Sequence, residues 1–150
     1  MVAFSGTDPR NAKVKDATIF RSIGRIITND STNNEVIASG AATIAIGITA
    51  GESSRDAESV LETSGATVSF FPLGGVLMVQ SEASKTYTTG CLVYAKANGL
   101  ASSTANSSKI LGIYVGEGQA TGSALLATGN SAALTEGEMI PVMTAGAATA

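Results

Sequence analysis

Histidine and tryptophan are both absent from this 150-residue chain, and it holds only one cysteine and three prolines. Without histidine there is no imidazole to activate a serine or cysteine nucleophile, to move protons near neutrality or to ligate a transition metal. The lone Cys91 cannot close an internal disulfide, which excludes a disulfide-stapled secreted scaffold. No cysteine cluster exists for zinc or an iron–sulfur centre. Charged residues make up 14% and aromatics 5% of the chain, so there is little material for a charge-rich cleft with aromatic platforms. No stretch reaches the roughly 18–20 apolar residues of a membrane-spanning helix. The N-terminus also lacks the charged head and apolar run of a secretory leader. The expectation is a soluble protein with no membrane partner and no cofactor.

Half of the chain is Ala, Gly, Ser and Thr, a composition that packs backbone against backbone and small side chain against small side chain. The net charge is −3 and no Lys/Arg cluster stands out, so no nucleic-acid surface is expected. The basic residues are front-loaded, with Arg10, Lys13, Lys15, Arg21 and Arg25 in the first 25 positions. Around them Gly6, Pro9 and a polar run break both helical and strand periodicity. Residues 1–16 therefore read as a flexible N-terminal arm. Its Val2, Phe4 and Val14 are candidates to fill small pockets on a partner, and its Arg10, Lys13 and Lys15 to meet acidic groups there.

Residues 17–144 read as one β-rich domain, and 145–150 as a disordered tail. ATIFRSIGRIIT (17–28) and VIASGAATIAIGIT (36–49) read as glycine-interrupted strands around the loop NDSTNNE (29–35). SSRDAESVLE (53–62) is the one segment that reads as a short helix, with a serine cap and Asp56 in its first turn. Then come ATVSFF (66–71), VLMVQS (76–81), CLVYAK (91–96), KILGIYVGE (109–117), ALLAT (124–128) and EMIPVMT (138–144). They are punctuated by Pro72–Gly75, Ala97-Asn98-Gly99 and other glycine turns, with 100–108 a loop or weak edge strand. Short strands at about ten-residue spacing predict an all-β sandwich or small barrel. IAIGITAGE (44–52) and KILGIYVGE (109–117) echo each other at Gly47/Gly112, Ile48/Ile113, Gly51/Gly116 and Glu52/Glu117, which leaves open a duplication.

Candidate chemistry is thin. GEGQATG (116–122) lacks the Gly-Lys-Ser/Thr ending of a phosphate loop, and no helix follows it. Glu136 and Glu138 share a face if extended, and Glu52 and Glu117 are possible symmetry mates, but solvated turn residues explain all four. NDSTNNE offers oxygens without the spacing of a calcium loop. Cys91, in a strand beside Leu92, reads as an inert core thiol. No catalytic, cofactor-binding or metal-binding residue is assigned, and no enzymatic activity is expected.

The run from Gly75 to Thr144 carries a recurring pattern. Gly75–Val79 is Gly-x-x-x-Val, Gly90–Tyr94 is Gly-x-x-Val-Tyr, and Asn98-Gly99-Leu100 is a hairpin turn. Leu111–Val115 is Leu-Gly-x-x-Val, and Gly137–Val142 is Gly-x-x-Ile-x-Val. With the upstream AATIAIGITAG (41–51), this resembles the capsid decoration, or cement, proteins of tailed phages, over about the last two thirds of the chain. The resemblance implies a tulip-like β-barrel that clusters as homotrimers and binds across neighbouring major capsid protein subunits. It places the protein on the outer capsid surface of the virion, where it would stabilise the expanded shell. The alternatives are another virion component (tail, fibre or head-fibre protein) and, behind it, a bacterial surface adhesion module.

Overall fold

The computed structural model describes residues 9–15, 23–30, 35–40, 43–50, 65–116 and 133–144. The expected helix at 53–62, the strand at 124–128 and the tail at 145–150 lie outside them. Among the described residues there are ten strands and no α-helix, so the all-β expectation holds. The strands are β1 (Arg10–Val14), β2 (Ile26–Asn29), β3 (Glu35–Ala38), β4 (Gly47–Thr49), β5 (Thr67–Pro72), β6 (Gly75–Gln80), β7 (Leu92–Ala95), β8 (Ala101–Ser102), β9 (Ile110–Tyr114) and β10 (Met139–Thr144).

The first five strands close on themselves in the order β1-β3-β2-β4-β5. Closure runs through β1, which pairs parallel with β3 (Lys13↔Glu35, Val14↔Val36) and antiparallel with β5 (Arg10↔Phe70 through Lys13↔Thr67). A closed barrel leaves no free sheet edge. Its interior is filled by Val14, Ile27, Val36 and Val68, with Ala12, Ala38, Ile46 and Phe70 packed against them. The described part of the expected arm thus belongs to the barrel: Lys13 is exposed and Val14 fully buried. A single large apolar residue among Arg, Asn and Lys was too weak a pattern to read as a strand.

The last five strands form a sheet ordered β6-β10-β9-β7-β8. β10 pairs with β6 over six positions, from Met139↔Gln80 to Thr144↔Gly75. β7 meets β9 with a bulge at Val93/Tyr94. One face carries Val79, Val93, Tyr114, Ile140 and Val142, which pack with Ile26, Ala45 and Ile48 of the barrel into a second and larger core. β2 is therefore buried on both sides: Ile27 fills the barrel and Ile26 the core shared by the two sheets.

The expected continuous strand at 36–49 is instead two strands. Between them Gly40 and Thr43 form a local turn, in which the Gly40 N–H donates to Thr43 Oγ1 (2.9 Å) and Thr43 Oγ1 donates back to the Gly40 carbonyl (3.0 Å). Hydroxyl-to-backbone bonds of this kind compete with a sheet ladder.

Polar contacts fix the second sheet to the barrel. Arg25 is buried, and its Nη1 donates to the Asn98 carbonyl at 2.8 Å. Ser39 Oγ donates to the Lys96 carbonyl (3.0 Å), and Gln80 Nε2 to the Ile23 carbonyl (2.6 Å). The expected tight turn at 97–99 is a 3₁₀ turn docked on β2. Gly99 has φ +71°, and a Cβ there would lie 2.6 Å from the Ile26 carbonyl oxygen, so only glycine fits.

Candidate interaction surface

Of the six arm residues singled out in the sequence, Val2 and Phe4 lie outside the described residues. Arg10 and Lys13 stand exposed on β1. Lys15, just past β1, places Nζ 3.0 Å from Asp30 Oδ1, so its charge is partly committed within the chain. Val14 cannot fill a partner's pocket, because it fills the barrel. Lys13 is on the outward face of β1, and Arg10, on the alternate face that Ala12 and Val14 share, is exposed at the start of the strand.

Among the described residues the carboxylates do not assemble into a site. Glu138 Oε2 accepts the Thr135 N–H at 2.6 Å and so caps the turn leading into β10, while Glu136 is exposed in the same turn. Glu52 and Glu117 lie outside the described residues, as do 31–34 of the NDSTNNE loop. Asp30, in that loop, accepts from Lys15. Among the described residues, no three of His, Cys, Asp and Glu converge as metal ligands.

Cys91 is half-buried against the shared core, beside a pair of buried tyrosines. The Tyr87 and Tyr114 rings lie 5.3 Å apart at 37°. The Tyr87 hydroxyl is 2.7 Å from Ser81 Oγ and donates to the Ala101 carbonyl at 3.2 Å. Burial drives the Tyr87 hydroxyl far above its ordinary pKa of 10.0, and the Ser81 hydrogen bond offsets this only in part. Burial raises Tyr114 as well. Its hydroxyl has no hydrogen-bond partner among the described residues. The arrangement is a polar seam inside the core.

The unusual surface is the other face of the second sheet. Val76 is 55% exposed, Met143 48%, Leu92 42% and Ile113 38%. Registration puts Val76 opposite Met143, Met143 opposite Ile113, and Ile113 opposite Leu92. Directly opposed residues share a face, so the four form one straight row across β6, β10, β9 and β7. An antiparallel sheet with one solvated face ordinarily alternates apolar-in and polar-out. These strands do not: Met78 and Tyr94 lie on the same outward face and are only partly buried. Sequence reasoning missed this row. The signal was present in GVLMVQ, CLVYAK, KILGIY and EMIPVM, whose alternate positions are apolar in both phases.

No family model matches the sequence, and no curated protein matches it either. Among solved structures, the chain is similar to the base of the head fibre gp8.5 of bacteriophage phi29. The TM-score is 0.51 at 15% sequence identity, and the match covers 96% of this chain and 98% of the other. At that identity the two share a fold, matched nearly end to end.

Proposed function

We propose that this chain is a structural protein of a phage virion that stands on the outer surface of the head and works through its surfaces without catalysis. The observation that supports this most is the end-to-end structural similarity to a phage head-fibre base, reached independently of the resemblance to decoration proteins in the sequence. Two finer readings follow. As a decoration protein the chain binds the major capsid protein as a homotrimer, bridges neighbouring subunits and reinforces the expanded shell. As a fibre base it anchors an appendage and leaves the shell unchanged; the head-fibre similarity favours this reading as strongly as the sequence pattern favours the first.

Both readings use many shallow contacts in repeated copies, which bind tightly without a deep pocket. The exposed basic residues Arg10 and Lys13 of β1 are each suited to an acidic group on a capsid surface. The test is co-sedimentation of the purified full chain with empty expanded capsids, followed by heating of the loaded shells. Decoration predicts dense loading and a higher disruption temperature. A fibre base predicts sparse loading with no change in that temperature. Absence of co-sedimentation at low and high salt would refute both.

A further inference from the structure

We propose that Asn98-Gly99 is a deamidation site that the fold keeps closed, and that the chain is modified there only when the 97–99 turn leaves β2. The inference stands independently of the head-surface reading.

Asn98-Gly99 is the one Asn-Gly pair in the sequence. Glycine has no side chain to shield its nitrogen and turns freely about its backbone, so an asparagine before it is the most open to cyclisation. In that reaction the Gly99 nitrogen loses its proton to water or hydroxide and attacks Asn98 Cγ. The N–Cγ bond forms, the Cγ–Nδ2 bond breaks, and ammonia leaves. The five-membered succinimide then takes up one water. Opening at Cγ gives aspartate. Opening at the former main-chain carbonyl gives isoaspartate, whose backbone is longer by one carbon.

The native turn offers the electrophile and withholds the nucleophile. Asn98 is exposed, so water reaches its side-chain amide. Ring closure needs the Gly99 nitrogen on the same side of the Cα–C bond as Cβ, which a tetrahedral Cα allows at a ψ of about −120°. Asn98 has φ 60° and ψ 20°, which turns that nitrogen nearly opposite to Cβ. Three contacts hold it there. The Gly99 N–H donates to the Ser39 carbonyl at 3.3 Å. Arg25 Nη1 donates to the Asn98 carbonyl at 2.8 Å, and that oxygen must swing away if ψ rotates. Gly99 is buried at φ +71°, where an added Cβ would lie 2.6 Å from the Ile26 carbonyl oxygen, so the peptide has no room to rotate in place. Reaction therefore waits on a local opening of the turn.

The same close fit makes one product irreversible. Aspartate at position 98 keeps the backbone length, tolerates the left-handed conformation and redocks. Isoaspartate brings an extra backbone carbon into a slot that does not admit a methyl group, so the turn stays off β2 and Arg25 loses this acceptor. A transient opening becomes a permanent loosening between the barrel and the second sheet.

The experiment incubates the full chain at mildly alkaline pH, native and in guanidinium chloride, and follows the tryptic peptide 97–109 by mass spectrometry with fragmentation that separates aspartate from isoaspartate. In the denatured chain Asn98 should change faster than Asn106 of the same peptide. In the native chain it should change at least about tenfold more slowly than in the denatured one. The Gly99 N–H is at once the nucleophile and the bonded donor, so its hydrogen exchange reports the same opening. Its protection factor and the slowing of deamidation should agree within about tenfold. Arg25→Met should speed both together; if that variant does not fold, low denaturant on the wild type should do the same. The isoaspartyl chain should melt below Asn98→Asp. Equal rates at Asn98 in native and denatured chains overturn the inference, as does a Gly99 amide that exchanges freely while Asn98 stays intact. So does a perturbation that speeds one process and not the other, and an isoaspartyl chain that melts with Asn98→Asp removes the irreversible step.

Discussion

Replacing Tyr87 and Tyr114 in turn by phenylalanine removes the same atom from two rings 5.3 Å apart, and the two losses should differ. At Tyr87 the hydroxyl meets Ser81 Oγ and the Ala101 carbonyl. A net hydrogen bond is worth about 0.5–1.5 kcal/mol, and an abandoned buried partner costs more. Here the partners are not abandoned: the single proton of Ser81 Oγ turns to the Glu82 carbonyl, and the Ala101 carbonyl still accepts the Glu82 N–H at 2.9 Å. Tyr87→Phe should therefore destabilise by about 1–2 kcal/mol, the lower part of the range for two bonds. In a chain of this size that is a fall in Tm of roughly 2–8 °C. Tyr114 has no such partner among the described residues, so Tyr114→Phe should be neutral or stabilising, by up to about 1 kcal/mol. Urea melts of wild type and both variants decide the matter. Equal destabilisation by the two substitutions would refute the assignment of polar partners in this core. The same pair fixes the alkaline limit. The unfolded chain releases the Tyr87 proton near its ordinary value of 10.0, whereas the native chain holds it to higher pH. Stability is thus full below about pH 10 and falls as pH rises beyond it, and Tyr87→Phe should flatten that fall.

Other perturbations test the barrel and its junction. Val14→Ala should cost about 2 kcal/mol or more in a denaturant melt, because the side chain is fully buried in the barrel; a neutral result would return residues 10–14 to an arm. Gly99→Ala should cost at least about 1–3 kcal/mol, since the new methyl meets the Ile26 carbonyl at a positive φ, and a melt within error of wild type would refute the close docking of this turn. Arg10→Ala with Lys13→Ala should leave the melt within about 0.5 kcal/mol. The same pair should weaken capsid co-sedimentation at low salt more than at high salt; equal loss at both would show that Arg10 and Lys13 do not act through charge. Deletion of residues 2–8 spares β1 and should keep the fold by circular dichroism, whereas deletion of 2–15 removes a barrel strand and should abolish it.

The second half of the chain was readable because its punctuation is local. Pro72–Gly75, Thr89-Gly90 and Asn98-Gly99 each close a turn with chemistry visible in two or three residues; β5, β6, β7 and β10 fall within a residue of their expected ends, and β9 starts within one but stops at Tyr114, short of the expected 117. The first half depends on long-range partners. β1 is a strand because β3 and β5 flank it, and nothing in RNAKV announces them. Arg25 looked like one more solvated basic residue, yet it is buried because Asn98, 73 positions away, supplies a carbonyl for it. The glycine echo at Gly47 and Gly112 does have physical content: an added Cβ would run into Phe70 at the first and the Met143 backbone at the second. It stops there, since Ile48 is buried and Ile113 exposed. The apolar row was hidden for a different reason. In strands apolar at both alternations, sequence alone cannot say which face the core covers and which is left exposed.

The double burial of β2 bears on how the molecule carries mechanical load. Ile26 and Ile27 are adjacent in sequence and anchor in opposite cores, so one backbone segment is a party wall between barrel and sheet. A pull applied to the second sheet reaches the barrel through that wall, the Arg25 clamp and the two-residue connection Leu73-Gly74. The two halves should therefore resist force, and yield to it, in a single event.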